Sequence, residues 1–192
     1  MAKGYTTRQE VENYLLITID ASFYAQITAW IEAVEAYIEK ATDRIFVADT
    51  LASARLYDGN GSSELIVDDS IQITKIEIGS DDDGWTEMTE YFLYPANRLP
   101  KRRIKLDGDI FTCGNQNVKI TAKWGYVATV PADIKFAATV LLAGIINFSN
   151  DAEGEVASMT VGSYSVSYKD REEKADLERA MKILQSYKKY TF

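Results

Sequence analysis

The chain has 192 residues, 46% hydrophobic and 26% charged, proportions that suit one folded domain with a real core, with or without a sizeable insertion, and exclude wholesale disorder or a fibrous repeat. A formal charge of −8, from 21 basic and 29 acidic side chains, argues against a protein that grips nucleic acid by neutralising phosphates. One cysteine and no histidine exclude an intrachain disulfide, His-dependent metal sites and His-containing triads.

The opening Met1-Ala2-Lys3-Gly4-Tyr5 lacks the apolar core of a secretory signal, so the chain is expected to be cytoplasmic when made. Thr7 and Glu10 have the spacing of a capping box and predict a short helix to about Leu15. After Asp20, Phe23, Ile27, Trp30, Ile31, Val34, Ile38 and Ala41 recur at intervals of three and four. That period predicts a second helix, buried along one stripe, to about Thr42.

From Ala54 to Trp124 the texture changes to short β-branched and aromatic runs separated by Gly, Asp and Asn, the pattern of strands and turns. Arg55-Leu56-Tyr57, the turn Asp58-Gly59-Asn60-Gly61 and Glu64-Leu65-Ile66-Val67 predict a hairpin. Ile71, Ile73, Ile76 and Ile78 predict a further strand, with a phase change between Ile73 and Ile76 that suits a bulge. Ser80-Asp81-Asp82-Asp83-Gly84 reads as a solvated loop before the segment Met88 to Tyr94. Ile104-Lys105-Leu106, the turn Asp107-Gly108 and Ile110-Phe111 predict a second hairpin. Val118 to Trp124 alternates apolar and cationic residues, as a strand with one face on the core and one in water does.

Pro131 and Asp133 suit a helix start, and the helix to about Phe148 is apolar nearly all round, so it belongs at the centre of the domain or between subunits. Its most hydrophobic run, Phe136 to Phe148, is too short for a bilayer span, and no membrane association is expected. A polar, exposed loop is expected from Ser149 to Ala157, then a short strand or extended arm from Val161 to Tyr168. From Asp170 a last helix carries Leu177, Ala180, Met181, Leu184 and Tyr187 on one face. The fold class is therefore α+β: a helical core of about four helices, with a β-rich insertion between the second and third. The divisions are 1–53 for the N-terminal core helices, 54–124 for the insertion and 125–192 for the C-terminal core helices with their strand or arm.

No catalytic constellation converges: no glycine-rich phosphate loop, nucleophile elbow or paired-acid spacing is present. Asp58, Asn60, Ser62 and Glu64 alternate like the start of a calcium loop, but Ser63 stands where the sixth-position glycine belongs and Asp69 where the twelfth-position glutamate belongs. A plain turn is the better reading, and no metal or cofactor is expected. Asp81-Asp82-Asp83 reads as solvent-facing, and Cys113 as an incidental thiol with no base to pair with. Lys101, Arg102 and Arg103, with Lys105, form the basic cluster, read as an ordinary strand entry or else a contact to an acidic neighbouring subunit, with DNA the weakest option. Tyr164, Tyr168, Tyr187, Tyr190 and Phe192 put large aromatic groups where chains usually fray. Docking on a partner and packing on the protein's own core fit that composition equally well.

Three segments carry a family resemblance: Trp124-Gly125-Tyr126; Val130-Pro131-Ala132-Asp133-Ile134-Lys135 running into an alanine-rich helix; and Val161-Gly162-Ser163-Tyr164-Ser165-Val166. With the Thr7-x-x-Glu10-Val11 helix and the long helix ending at Ile38-Glu39-Lys40-Ala41-Thr42-Asp43-Arg44-Ile45-Phe46, the chain resembles the gp6-like head–tail connector (adaptor) family of tailed phages outside about residues 60 to 115. The resemblance implies a non-enzymatic virion protein of the neck, made in the host cytoplasm. It would form a ring, commonly dodecameric, that joins the portal to a stopper or tail protein around passing double-stranded DNA. It also implies that the segment Leu184 to Phe192, with Tyr187, Lys188, Lys189 and Tyr190, is a portal-docking arm, and that the third helix and its neighbouring faces hold ring contacts. Tyr164, Tyr168, Lys101, Arg102 and Arg103 are candidate subunit contacts. The β-rich insertion departs from the smaller, almost wholly helical members. The rival readings are a β-rich module binding carbohydrate or peptide through Trp85, Tyr91, Phe92 and Tyr94, a stopper or tail-completion protein, and an enzyme with a Ser-Lys or carboxylate-only site.

Overall fold

The computed structural model describes residues 3–150, 157–161, 164–168 and 171–189, with the backbone alone at 148–150, 157–161, 164–168 and 171–173. Four α-helices and a six-stranded sheet between the second and third make an α+β fold. The chain divides into two compact units, Met1–Arg44 with Val130–Phe192, and Ile45–Thr129.

In the helical unit, α1 runs Arg8–Leu15 with Thr7 as its N-cap, whose hydroxyl accepts from the Glu10 amide at 3.2 Å. It stops at Leu16, which takes a left-handed conformation. Asp20 caps a 3-10 turn, Ala21–Phe23, that leads into α2, Tyr24–Thr42. The buried stripe of α2 comprises Ile27, Trp30, Ile31, Val34, Glu35, Ile38 and Thr42. Phe23, expected on that stripe, is 52% exposed, because the tighter winding of the 3-10 turn puts it out of phase with the helix that follows. Ala41, also expected there, is only half-buried.

α3, Ala132–Asn150, is buried continuously from Ala137 to Ile146. It is surrounded as its composition requires, with α1, α2, α4 and a strand all packing on it. The expected single strand at 161–168 is half of a hairpin, β7 (Ala157–Val161) against β8 (Tyr164–Tyr168). Most of the loop expected at 149–157 lies outside the described residues. α4, Arg171–Tyr187, buries Ala180 and Leu184 and half-buries Leu177, Met181 and Tyr187.

In the β unit the strands are β1 (Ser53–Gly59), β2 (Glu64–Ser80), β3 (Gly84–Glu87), β4 (Tyr91–Tyr94), β5 (Lys101–Leu106) and β6 (Gly114–Trp124). The order is β1-β6-β2-β5-β4, with β3 also on β2, and every pairing is antiparallel. β2 is one strand of 17 residues, not two; its first part pairs with β5 and its second with β6. The expected phase change is a register shift between Ile73 and Lys75.

Both predicted hairpins fail in the same way. β1 and β2 follow each other across Asp58-Gly59-Asn60-Gly61, yet β6 lies between them. Ile110 and Phe111 do not return along β5, whose two edges are already taken by β2 and β4. The Phe111 amide donates instead to Ser62 O at 2.8 Å, and the ring is fully buried, whereas Ile110 is 49% exposed. A turn motif announces a reversal of direction but does not reserve the strand edge beside it. The core is formed by Leu65, Val67, Ile73, Ile76, Ile104, Leu106, Phe111, Val118, Ile120, Ala122 and Trp124.

Candidate interaction surfaces

On the β unit, direct cross-strand partners share a face, so Glu64, Ile66, Arg103, Lys105, Phe92 and Tyr94 stand together on the side opposite the core. Arg103 donates to Glu64 at 3.1 Å and lies 4.7 Å over the Tyr94 ring, and Lys105 is 3.8 Å from the same carboxylate. Lys101 donates to the Pro95 and Ala96 carbonyls at 2.6 and 2.7 Å. Arg102 is exposed. Much of the basic cluster's charge is thus matched locally, and what it presents outward is a mixed surface with Ile66 63% and Phe92 53% exposed.

The aromatic set considered for ligand binding is not gathered into one site. Trp85 sits on β3, beside the last residues of β2, its indole N–H donating to Asp81 at 2.8 Å and Lys119 lying 3.8 Å over its ring. β4, with Tyr91, Phe92 and Tyr94, is reached through β5 from the first residues of β2. Tyr91 packs against the core. The calcium-like residues hold turns: Asn60 accepts from the Ser62 amide at 2.9 Å and donates to Glu64 O at 3.0 Å, and Asp58 accepts from the Gln116 amide at 2.7 Å. Cys113 is exposed. Among the described residues no group of three His, Cys, Asp or Glu is placed to hold a metal, and no helix is long and apolar enough to cross a membrane.

At one end of the helical unit, the last turn of α4 meets the end of α2 and the start of α3. Leu184 is 2% exposed, inside the unit's own core. The Tyr187 hydroxyl donates to Asp133 at 2.9 Å, its carbonyl accepts from the Arg44 guanidinium, and the Lys189 amide donates to Thr42 O at 2.8 Å. Lys188 is exposed. Tyr190 and Phe192 lie outside the described residues, as do the side chains of Tyr164 and Tyr168.

Two features escape a reading by motif. The first is a clamp: Glu35, 3% exposed, accepts from the Lys3 amide at 2.7 Å and the Tyr5 amide at 3.0 Å, while Glu39 accepts from Tyr5 Oη at 2.6 Å and Lys3 Nζ at 2.7 Å. A carboxylate on an otherwise apolar stripe, beside Ile31, Val34 and Ile38, is the sequence signal for such a buried partner. The second is the α1–α2 elbow, where Leu16 (90%), Ile17 (41%), Phe23 (52%) and Tyr24 (40%) are exposed together. A groove of about 460 Å³ beside them is lined by Ile17, Ile19, Phe23, Ile27, Trp30 and Ile146, with Asp20 at its edge. The Ser22 hydroxyl and amide hold the Asp20 carboxyl below the usual carboxylate range. The elbow is fixed from beneath, since buried Glu12 accepts from the Ile19 amide at 2.9 Å and from Arg8 at 3.0 Å. Its signal in sequence is a lack of charge: residues 13–31 carry only Asp20, against about five charges expected at the chain's 26%.

The model of a family described as "Head completion protein" matches residues 5–190. No curated protein matches the chain. Three solved structures are similar over nearly the whole length. A chain in the neck of an empty gene transfer agent particle, computed with C6 symmetry, has a TM-score of 0.62 at 16% identity, covering 100% of this chain and 91% of that one. A chain in the neck of the native particle, computed with C12 symmetry, has a TM-score of 0.54 at 15% identity, covering 96% and 88%. A chain from the virion of the native particle has a TM-score of 0.55 at 16% identity, covering 100% and 91%.

Proposed function

Because the chain belongs to the head completion protein family, we propose that it is a structural, non-enzymatic subunit of a virion neck, forming a ring between the portal and the next neck or tail protein. The family match over residues 5–190 carries this reading, since it spans both compact units. The shared fold of gene transfer agent neck chains, one computed with C12 symmetry, supports a dodecameric ring. Double-stranded DNA would pass through the lumen without sequence readout, consistent with the net charge of −8.

Within that ring the segment Leu184 to Phe192 is the portal-docking arm. Leu184 anchors it in the helical unit, and the surface from Tyr187 onward, with Lys188, Lys189, Tyr190 and Phe192, reaches the portal. Lys101, Arg102 and Arg103, at the exposed start of β5, and Tyr164 and Tyr168 on β8 are the proposed contacts to neighbouring copies. Mixing the purified chain with isolated portal rings and imaging the product tests the reading. Coaxial stacked rings are expected, and a chain lacking residues 188–192 is expected to leave the portal bare. Failure of the full chain to bind portal at high concentration would overturn the adaptor role.

A further inference from the structure

The α1–α2 elbow is unlike the rest of the helical unit. Nineteen consecutive residues, 13–31, hold a single charge, and yet every residue from 20 to 26 is exposed. Leu16 carries two local costs, a left-handed backbone at φ 55° for a residue with a Cβ, and a side chain left 90% in water. The first is offset by its place as the C-cap of α1, where its own amide and, at 3.1 Å, the Ile17 amide donate to Glu12 O; no contact within the described fold covers the exposed side chain. An exposed apolar patch beside a groove is the usual mark of a surface that is covered in an assembly.

The chemistry of the groove selects its occupant. Its walls are Ile17, Phe23, Ile27, Trp30 and Ile146, and its one charge is Asp20. The segment Tyr187-Lys188-Lys189-Tyr190-Thr191-Phe192 has the complementary make-up, aromatic anchors with two lysines and no acid. That segment is held away from the groove of its own copy. The Lys189 amide is bonded to Thr42 at the far end of α2, and the helix from Ile27 to Thr42 is about 22 Å long at ~1.5 Å per residue. Three residues of chain span at most about 10 Å. The tethered start of the segment and the groove therefore lie towards opposite ends of α2, a separation that favours a groove on a second molecule.

From these observations we infer that the α1–α2 elbow is the seat for the Tyr187 to Phe192 segment of a second copy of this chain. The contact is heterologous, one end of a copy on the other end of the next, and such contacts propagate into a ring when the rotation closes. It does not rest on the portal reading. One segment cannot occupy both sites, so a portal that takes the arm empties the elbow.

The test uses the full chain and a fluorescent peptide of residues 185–192, followed by anisotropy. Saturable binding is expected, weakened at least tenfold by Phe23→Glu, a change at an exposed position that leaves the core alone. Asp20→Asn, which keeps the cap on the 3-10 turn but removes the charge, is expected to weaken binding severalfold. A peptide with Tyr190→Ala and Phe192→Ala is expected not to bind. Sedimentation should show the full chain self-associating with concentration and the Phe23→Glu chain, of unchanged circular dichroism, remaining monomeric. Absence of saturable binding, equal binding by the Phe23→Glu chain, or equal binding of a scrambled peptide would each overturn the inference. Loss of portal binding with the elbow contact intact would strike only the adaptor reading.

Discussion

Glu35 shows how much one side chain decides here. It stands on the buried stripe of α2 because its two oxygens accept from the Lys3 and Tyr5 amides, the second of them a buried donor. Glu35→Ala is expected to cost about 2–3 kcal/mol of unfolding free energy, measured by urea denaturation, and to speed hydrogen exchange at the Tyr5 amide. Tyr57 supplies a pH signature. Burial, reinforced by the nearby Asp68 carboxylate, raises its pKa well above the ordinary tyrosine value. The folded state therefore holds the phenol proton more tightly than the unfolded chain does. Its contribution to stability is complete below about pH 10, the unfolded tyrosine value, and is lost progressively as pH climbs beyond it. Thermal melts from neutral to strongly alkaline pH should show that decline, and Tyr57→Phe should reduce it.

Among the elements, the helices were legible in the sequence and the strand partners were not. The cap at Thr7, the stripe from Ile27 to Ile38 and the start of α3 at Pro131 each depend on residues within a turn or two of one another. Phe23 was misplaced because a three-residue 3-10 turn leaves almost no pattern to read. Asp58 and Gly59, expected in a turn, extend β1, and the chain bends at 61–63 instead, whereas Asp107 and Gly108 do form a bend; in both cases the strands that follow take distant partners. Gly125 bears on this same long-range closure. At φ 137° it passes Ala48 so closely that an added Cβ would lie 2.4 Å from the Ala48 Cα, while its amide donates to Asp69 O at 2.7 Å. Gly125→Ala is expected to destabilise the protein by about 2–3 kcal/mol, seen as a lower urea midpoint with an unchanged slope.

For the whole molecule, charge sets the terms of assembly. Copies carrying −8 each repel as they close into a ring, and the salt that shortens the Debye length to about 8 Å at physiological strength relieves that repulsion. Ring formation on portal should therefore improve from low to physiological ionic strength, as followed by sedimentation; a steady decline with salt would mean that ion pairs dominate the contacts. The elbow belongs to the same scale. Its missing charges were visible in residues 13–31, but those residues read equally well as core until the structure exposed Leu16, Phe23 and Tyr24. What the amino-acid order determined by itself was the α+β class, the helices and the turns, because periodicity and capping act over a few residues. What only the tertiary structure decided was which strands pair, which apolar residues stay in water and which carboxylates are buried, because these depend on competition among segments far apart in the chain.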